Sequence, residues 1–330
     1  MLSGLLVLII ILALIFEFIN GFHDTANAIA TSVYTKALSP RHAIMLAAVM
    51  NFIGALTSEK VAMTISKGLV NVTLEEYVLI AALLGAIIWN LFTWWAGIPS
   101  SSSHALIGGL LGASIVYSAS LDNIIWGGVF KKVIIPLFTS PLLGFLVGFL
   151  LMTSIFKVFC NWAQGKVHSR FLRLQIISAA LVAYSHGNND AQKTMGIITM
   201  ALIAGNVLPA ASGVPLWVKI ICAITMALGT SLGGWKIMKT MGGGVTRLDP
   251  TSGFASQTAS ALVIEAMSFV GAPVSTTQVI TTSIMGAGTA KRVSAVKWGI
   301  ARSIVVAWIV TLPITMVLGG LLVWVLQGIF

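Results

Sequence analysis

Two short polar motifs interrupt apolar stretches of the chain and contain most of the residues whose types could do chemistry. The first reads NGFHDTANA over residues 20–28, and the second reads SHGNNDAQK over residues 185–193. Each has a Gly three residues before an Asp, which is Asp24 in the first motif and Asp190 in the second. Ionisable groups at membrane depth are costly and usually mark the path of an ion or substrate. Two matched motifs therefore predict a site between two related halves.

Asp24 and Asp190 are candidates for holding a coupling cation or proton. An acidic group beside an anion site repels the anion unless a cation or proton lies between them, which is how a symporter couples two solutes. The amide oxygens of Asn27 and Asn189, with carbonyl oxygens of unwound backbone, would complete a shell for a hard cation. The alternative is that each Asp only caps the half-helix that follows it.

The remaining polar residues of the two motifs are candidates for coupling. His23, beside Asp24, titrates near neutral pH and could carry a proton, although a lone membrane His is more often a structural hydrogen-bonding group. Lys193 follows Asp190 on the same helical face, which predicts an internal ion pair whose ammonium replaces a mobile cation. The predicted set for a coupling cation or proton is Asn20, His23, Asp24, Asp190, Gln192 and Lys193.

A cluster of hydroxyl residues follows each polar motif, reading PSSSS over residues 99–103 and PVSTT over residues 273–277. Pro suits the first turn of a helix and Ser or Thr caps its free N–H groups, so both clusters predict helix starts. Helix N-termini attract oxyanions. The alternative, that the hydroxyls only cap or bond back to carbonyls, is weakened by the matched pair. The predicted anion-binding set is Asp24, Asn27, Ser101, Ser102, Ser103, Asn189, Asp190, Ser275, Thr276 and Thr277.

The composition is that of a polytopic membrane protein. Of the 330 residues, 57% are hydrophobic and 8% are charged, against about 25% charged in a typical soluble domain. The net charge of +10 is spread over short loops, which argues against a nucleic-acid partner. Cys160 and Cys222 are isolated, so the sequence predicts neither a disulfide nor a metal site. Residues 2–19 lack a cleavage site and are expected to be a retained span.

The predicted fold is all-α, with two inverted repeats of about five membrane crossings each. The first apolar segment, residues 2–35, is longer than one span, and its Gly21 predicts a break into two half-helices. The second polar motif, which contains Gly187, predicts the same kind of break in the second half. Discontinuous helices and re-entrant or hairpin segments are expected. Residues 1–156 and 174–330 form the repeats, and a basic cytoplasmic linker, residues 157–173, joins them. The Lys and Arg distribution places both termini outside the cell.

At these four motifs the chain resembles the inorganic phosphate transporter (Pit) family. The resemblance implies inverted repeats, an anion held between the Asp motifs and the hydroxyl clusters, cation-driven uptake and a homodimer in a bacterial inner membrane. His23 stands where many members have Asn, and Gln192-Lys193 stands where the second copy usually has Ala-Asn. These features are similar to the bacterial branch that uses protons and takes phosphate as a neutral complex with Mg²⁺ or another divalent metal. No covalently bound cofactor is implied.

The sequence therefore predicts a secondary importer of inorganic phosphate, driven by H⁺ or Na⁺, and not an enzyme. The alternative on the same scaffold is a permease for sulfate or another oxyanion, because the family includes one. A passive channel is a further alternative, and it predicts that phosphate does not accumulate above equilibrium. An intramembrane hydrolase using His23, Asp24 and a serine is disfavoured, because no nucleophile motif is present and one asymmetric site would not need a duplication.

Overall fold

The described residues of the computed structural model, 3–70, 75–234, 237–238 and 240–329, are arranged almost entirely as helices. Short π-helical segments lie at Phe130–Ile134 and Thr240–Gly244, and a short 3₁₀ segment lies at Val293–Ala295. The main helices are α1 (Gly4–Tyr34), α2 (Pro40–Ala55), α3 (Lys60–Lys67), α4 (Glu76–Ala96), α5 (Ser102–Ser118), α6 (Trp126–Phe159), α7 (Gln164–Ala204), α8 (Leu216–Leu232), α9 (Pro250–Phe269), α10 (Thr276–Lys291) and α11 (Trp298–Gln327).

Helix starts follow the capping chemistry of the sequence. Ser3 accepts a hydrogen bond from the backbone N–H of Leu6 at 3.0 Å, which caps α1. Asp249 forms a reciprocal capping box with Ser252 at the start of α9. At the C-terminal end of α4, Gly97 has φ +68°, the left-handed conformation that commonly terminates helices. Local sequence thus sets where these elements begin and end.

The predicted breaks at Gly21 and Gly187 are wrong, because α1 and α7 continue through both glycines. A Cβ atom on Gly21 would lie 2.6 Å from the carbonyl oxygen of Met226 in α8. One on Gly187 would lie 2.2 Å from the carbonyl oxygen of Asn51 in α2. Each glycine therefore lets two helix backbones approach closely. Neighbouring helices supply hydrogen-bond partners for the polar side chains of α1 and α7, so neither helix has to unwind.

A discontinuity does occur between α2 and α3. The two helices meet at an angle of 65° across a short break, as in a broken span or a re-entrant segment. Within the described residues, four helices, α1, α4, α6 and α11, are each long and apolar enough to cross a bilayer, or five spans if the bent pair counts as one. The protein therefore has several apolar helices of membrane-spanning length, and about five crossings per half stays a prediction.

Helices of the two halves pack against each other in matching pairs. α1 packs on α8 while α7 packs on α2, and α5 packs on α11 while α10 packs on α6. Within the halves, α4 contacts α5 as α9 contacts α10. The halves interlock and do not form two separate bodies. Whether they are inverted stays a prediction.

The basic stretch at residues 157–173, predicted as a linker, is mostly helical. Its first residues end α6 and its last ten begin α7, so residues 160–163 join the two helices. Arg170 lies over the ring of Trp162 at 4.3 Å, and Phe171 packs edge-on against Phe254 of α9. These contacts fix the start of α7, the helix that carries the second polar motif. The boundaries of the predicted repeats stay a prediction.

Candidate functional site

The candidate site lies where the middle of α1, the middle of α7 and the starts of α5 and α10 meet. The polar side chains of α1 recur every three or four residues, which puts them on one helical face. Their exposed fractions are at most 3%, so the site is closed to solvent in this conformation. This polar stripe consists of Glu17, Asn20, Asp24, Asn27 and Thr31.

The predicted ion pair between Lys193 and Asp190 is confirmed. The Lys193 ammonium donates hydrogen bonds to Oδ1 of Asp190 and Oγ of Ser103, and to the carbonyl oxygen of Val274 at 3.0 Å. His186 Nε2 lies 3.1 Å from Oδ2 of Asp190. The Lys193 ammonium therefore balances the charge of Asp190 from the same helix, and it ties that helix to the starts of α5 and α10.

The second hydroxyl cluster bridges the two Asp residues. The Thr276 hydroxyl donates to Oδ2 of Asp190 at 3.0 Å, and the Thr277 hydroxyl donates to Oδ1 of Asp24 at 3.3 Å. Asn27 Nδ2 donates to the Thr277 hydroxyl at 2.7 Å. The first turn of α10 thus joins a carboxylate from each half of the chain.

His23 is held between Asp24 and α4. Its Nδ1 lies 2.9 Å from Oδ1 of Asp24, and its Nε2 lies 3.1 Å from the Thr93 hydroxyl oxygen. That hydroxyl donates to the carbonyl oxygen of Trp89 at 3.0 Å and accepts from Ser100 Oγ at 2.8 Å. His23 thus connects the carboxylate of Asp24 to the Thr93 hydroxyl of α4.

Some hydroxyls of the two clusters cap helices, and others contact the charged groups of the site. Ser101 and Ser275 accept hydrogen bonds from the backbone N–H groups of His104 and Gln278, at 3.2 and 3.3 Å, so the capping alternative holds for these two. Later hydroxyls in each cluster face the charged groups described above. The Ser102 hydroxyl is buried without a hydrogen-bond partner in the described part of the chain.

Two buried amide oxygens, those of Asn27 and Asn189, also lack hydrogen-bond partners among the described residues. Buried polar atoms in native structures are nearly always satisfied, so such atoms indicate a ligand, ion or water. Asn189 is held by its amide nitrogen, which donates to Ser268 Oγ at 2.8 Å. Both oxygens suit a hard cation, and the Ser102 hydroxyl suits an oxyanion.

Among the described residues, Asp24, His186 and Asp190 could together hold a metal ion. One potential ligand atom from each lies within 4.8 Å of the other two. His186 is absent from the predicted site set. Its position four residues before Asp190, on the same helical face, was the available signal. A cation here would lie beside the Lys193 ammonium and compete with it for Asp190.

Gln192, predicted to help with coupling, faces α3. Its Oε1 accepts hydrogen bonds from the backbone N–H groups of Val61 and Ala62, at 2.8 and 3.2 Å. These N–H groups belong to the first turn of α3, whose N-cap residue, Glu59, makes no side-chain capping bond. Gln192 thus caps α3 and connects the helix that carries Asp190 to the bent α2–α3 pair.

The chain is similar to several known proteins. The chain is 51% identical over 329 residues, 99% of its length and 98% of the other, to a probable low-affinity inorganic phosphate transporter of Bacillus subtilis. It is 48% identical over 318 residues to a protein of the same name from Mycobacterium bovis, covering 96% of this chain and 76% of the relative. A solved structure titled the sodium-dependent phosphate transporter superposes with a TM-score of 0.89, at 24% identity, covering 99% of this chain and 100% of that one. That likeness concerns the fold alone.

The family profile described as "Phosphate transporter family" matches residues 20–319, a range that contains both polar motifs and both hydroxyl clusters. The relatives are named as transporters, not as enzymes. The chain belongs to the phosphate transporter family.

Proposed function

We propose that the protein imports inorganic phosphate as a secondary active symporter, by alternating access around the buried site. The observation that carries the proposal is the bridge from the Thr276 and Thr277 hydroxyls to the carboxylates of Asp190 and Asp24. The two hydroxyls that would donate hydrogen bonds to an oxyanion donate instead to carboxylates from both halves of the chain. A cation or proton that neutralises the carboxylates frees the hydroxyls, and phosphate binding is then coupled to cation binding.

Protons are the coupling ion that the geometry favours. The imidazole of His23 lies against the carboxylate of Asp24 and would carry the coupling proton, and Lys193 supplies a fixed ammonium beside Asp190. In a sodium symporter, a mobile cation would have to compete with that ammonium for the carboxylate. Neutral hydroxyl donors complete the anion site, and they bind less tightly than an arginine clamp would, which suits release of the anion.

Phosphate enters, in this proposal, as a neutral complex with a divalent metal. The cluster of Asp24, His186 and Asp190 supplies two carboxylates and an imidazole within 4.8 Å of one another. The amide oxygens of Asn27 and Asn189 add the oxygen ligands that Mg²⁺ prefers. Metal and phosphate would then lie between the Asp cluster and the Ser102 hydroxyl.

The membrane orientation is part of the proposal. Hydrogen bonds connect helix ends at one end of the molecule: Ser3 donates to Glu76, and Lys67 donates to the carbonyl oxygen of Ser212. If that end faces outward, as the Lys and Arg pattern predicts, the basic start of α7 lies in the cytoplasm. We propose a multi-pass protein of the plasma membrane with inverted repeats, supported by the matched packing of the two halves. The homodimer stays a prediction.

The test is uptake of labelled phosphate into proteoliposomes with proton and sodium gradients imposed separately, with and without Mg²⁺. We expect accumulation driven by the pH gradient and raised by Mg²⁺. Accumulation driven by sodium alone would overturn proton coupling, and accumulation of sulfate in place of phosphate would overturn the substrate.

The first variant for this assay is Asp24→Asn. It should abolish accumulation, because the pair with His23 loses its titratable carboxylate, while the protein still folds. Circular dichroism and gel filtration check the folding. Accumulation at the wild-type level in Asp24→Asn would contradict the assignment of Asp24.

A further inference from the structure

Glu17 is a buried carboxyl that the proposed site does not use. It lies on the polar stripe of α1 with an exposed fraction of 0%. Asp24 follows two helical turns later on the same face, about 10 Å away along the helix axis. If the start of α1 faces outward, Glu17 lies between the outer solution and Asp24. An ionisable side chain at this depth is by default a candidate functional group.

The surroundings of Glu17 supply little to stabilise a negative charge. The Thr194 hydroxyl donates to its Oε2, while Oε1 has no hydrogen-bond partner in the described residues. Asn20, one turn further along α1, faces the carboxyl. Among the described residues, the charged and titratable groups close enough to interact electrostatically with it are Asp190 and Lys193 of α7 and the thiol of Cys222 in α8.

Lys193 does not serve as the counter-ion of Glu17. Its ammonium is already held by Asp190, Ser103 and the carbonyl oxygen of Val274. A buried carboxylate without a counter-ion of its own is strongly disfavoured relative to the neutral acid. A neutral carboxyl at this place would carry a proton if alternating access opened it to one solution at a time.

We propose that Glu17 binds a proton that is co-transported with phosphate. The carboxylate takes up one proton when the site is open to the outside. It carries the proton as a neutral carboxyl through the closed state described above, and releases it when the site opens inward. No covalent bond in phosphate changes. The proposal rests on the proposed phosphate symport and extends it by a second protonation site, distinct from the His23–Asp24 pair.

The experiment compares Glu17→Gln with Glu17→Asp in proteoliposomes. Glutamine copies the shape of the protonated acid, so the variant should exchange internal for external labelled phosphate but lose accumulation under a pH gradient. Aspartate keeps the carboxyl and should restore accumulation. The matched control is Glu265→Gln on α9, whose carboxyl accepts a hydrogen bond from Asn188. It should accumulate phosphate as the wild type does.

Three results of this transport experiment would overturn the proposal. The first is wild-type accumulation in Glu17→Gln. The second is loss of phosphate exchange in both Glu17 variants, which would indicate a structural role. The third is loss of accumulation in Glu265→Gln as well as in Glu17→Gln, since the effect would then not be specific to Glu17.

A spectroscopic measurement separates this proposal from the proposed function. Infrared difference spectra of the purified wild type should show the C=O band of a protonated carboxylic acid, and Glu17→Gln should lack it. Thr194→Val, which removes the hydroxyl that donates to Oε2 of Glu17, should displace that band. If the wild type does not accumulate phosphate under a pH gradient but the band is present and sensitive to Glu17, proton-driven symport fails and proton binding by Glu17 stands. If no band depends on Glu17, the proposal fails whatever the transport result.

Discussion

At the residue scale, the two halves of the site are chemically different although their motifs match. Asp24 is paired with an imidazole, whereas Asp190 is paired with the Lys193 ammonium and with His186. The second pair contains the ammonium of Lys193, which also contacts the starts of α5 and α10. In the proposed mechanism, the first pair would carry the coupling proton.

Removing the fixed charge should expose this division. Lys193→Met leaves Asp190 as a buried carboxylate without its main partner, which costs about 3–5 kcal/mol for a broken buried ion pair. We expect a lower thermal unfolding temperature for the purified variant. We also expect a larger rise of that temperature on adding Na⁺ or Mg²⁺ than in the wild type, because a mobile cation can take the vacated place.

Lys193→Arg is the control, since it keeps the charge next to Asp190. An unchanged unfolding temperature in Lys193→Met, with no response to cations, would show that the ion pair does not hold α7 against α5 and α10.

At the element scale, glycines set how closely the central helices approach. Gly187 of α7 touches the backbone of α2 at Asn51, and Gly54 of α2 touches the backbone of α7 at Tyr184. The sequence located these glycines but led to a wrong prediction for Gly187, because a Gly in an apolar run can serve either as a break or as a close-contact point. Only the neighbouring helix distinguishes the two roles.

Gly187→Ala should therefore destabilise the protein. The added methyl group would lie 2.2 Å from a backbone carbonyl oxygen, so the helices must separate, at a cost of about 1–3 kcal/mol for an overpacked site. Gly165→Ala is the matched control on the same helix, because nothing lies within 4 Å of its Cβ position. Thermal unfolding should show a loss for Gly187→Ala and no loss for Gly165→Ala; equal effects would contradict the close contact.

The start of α9 should show a pH-dependent contribution to stability. Partial burial opposes ionisation of Asp249, but hydrogen bonds from Lys291, the backbone N–H of Ser252 and Thr251 outweigh it and lower its pKa from 3.8 to about 2. A depressed pKa in the folded protein stabilises it above the unfolded value, and the stabilisation is lost as the pH falls towards 2. The difference in unfolding temperature between wild type and Asp249→Asn should therefore shrink between about pH 4 and pH 2. A difference that stays constant over that range would contradict this assignment.

At the scale of the whole molecule, α3 contacts the end of α9 at the end of the molecule that is predicted to face outward. The Lys60 ammonium lies 3.8 Å from the centre of the Phe269 ring and donates to its carbonyl oxygen at 3.1 Å. The Thr64 hydroxyl donates to the carbonyl oxygen of Gly271 at 2.7 Å. Gln192 also caps α3, so this contact is linked to the helix that carries Asp190.

Cross-linking α3 to α9 should therefore block transport. In a variant with Cys160 and Cys222 replaced by Ser, Lys60→Cys and Phe269→Cys can be joined by a short bifunctional maleimide. Phosphate uptake should fall to background after cross-linking and stay unchanged after a monofunctional maleimide. Full uptake by cross-linked protein would show that α3 and α9 do not separate during transport.

The sequence by itself determined the chemical identity of the site and the class of protein. The carboxylates, amides and hydroxyl clusters stand out because polar groups are costly in an apolar chain, so the few that occur are informative. Only the tertiary structure decided which of them meet. Thr277 reaches Asp24 and Gln192 reaches α3, whereas Ser101 and Ser275 are used as caps. These pairings join residues far apart in the chain, and they depend on helix-packing distances set by glycines whose partners lie on other helices.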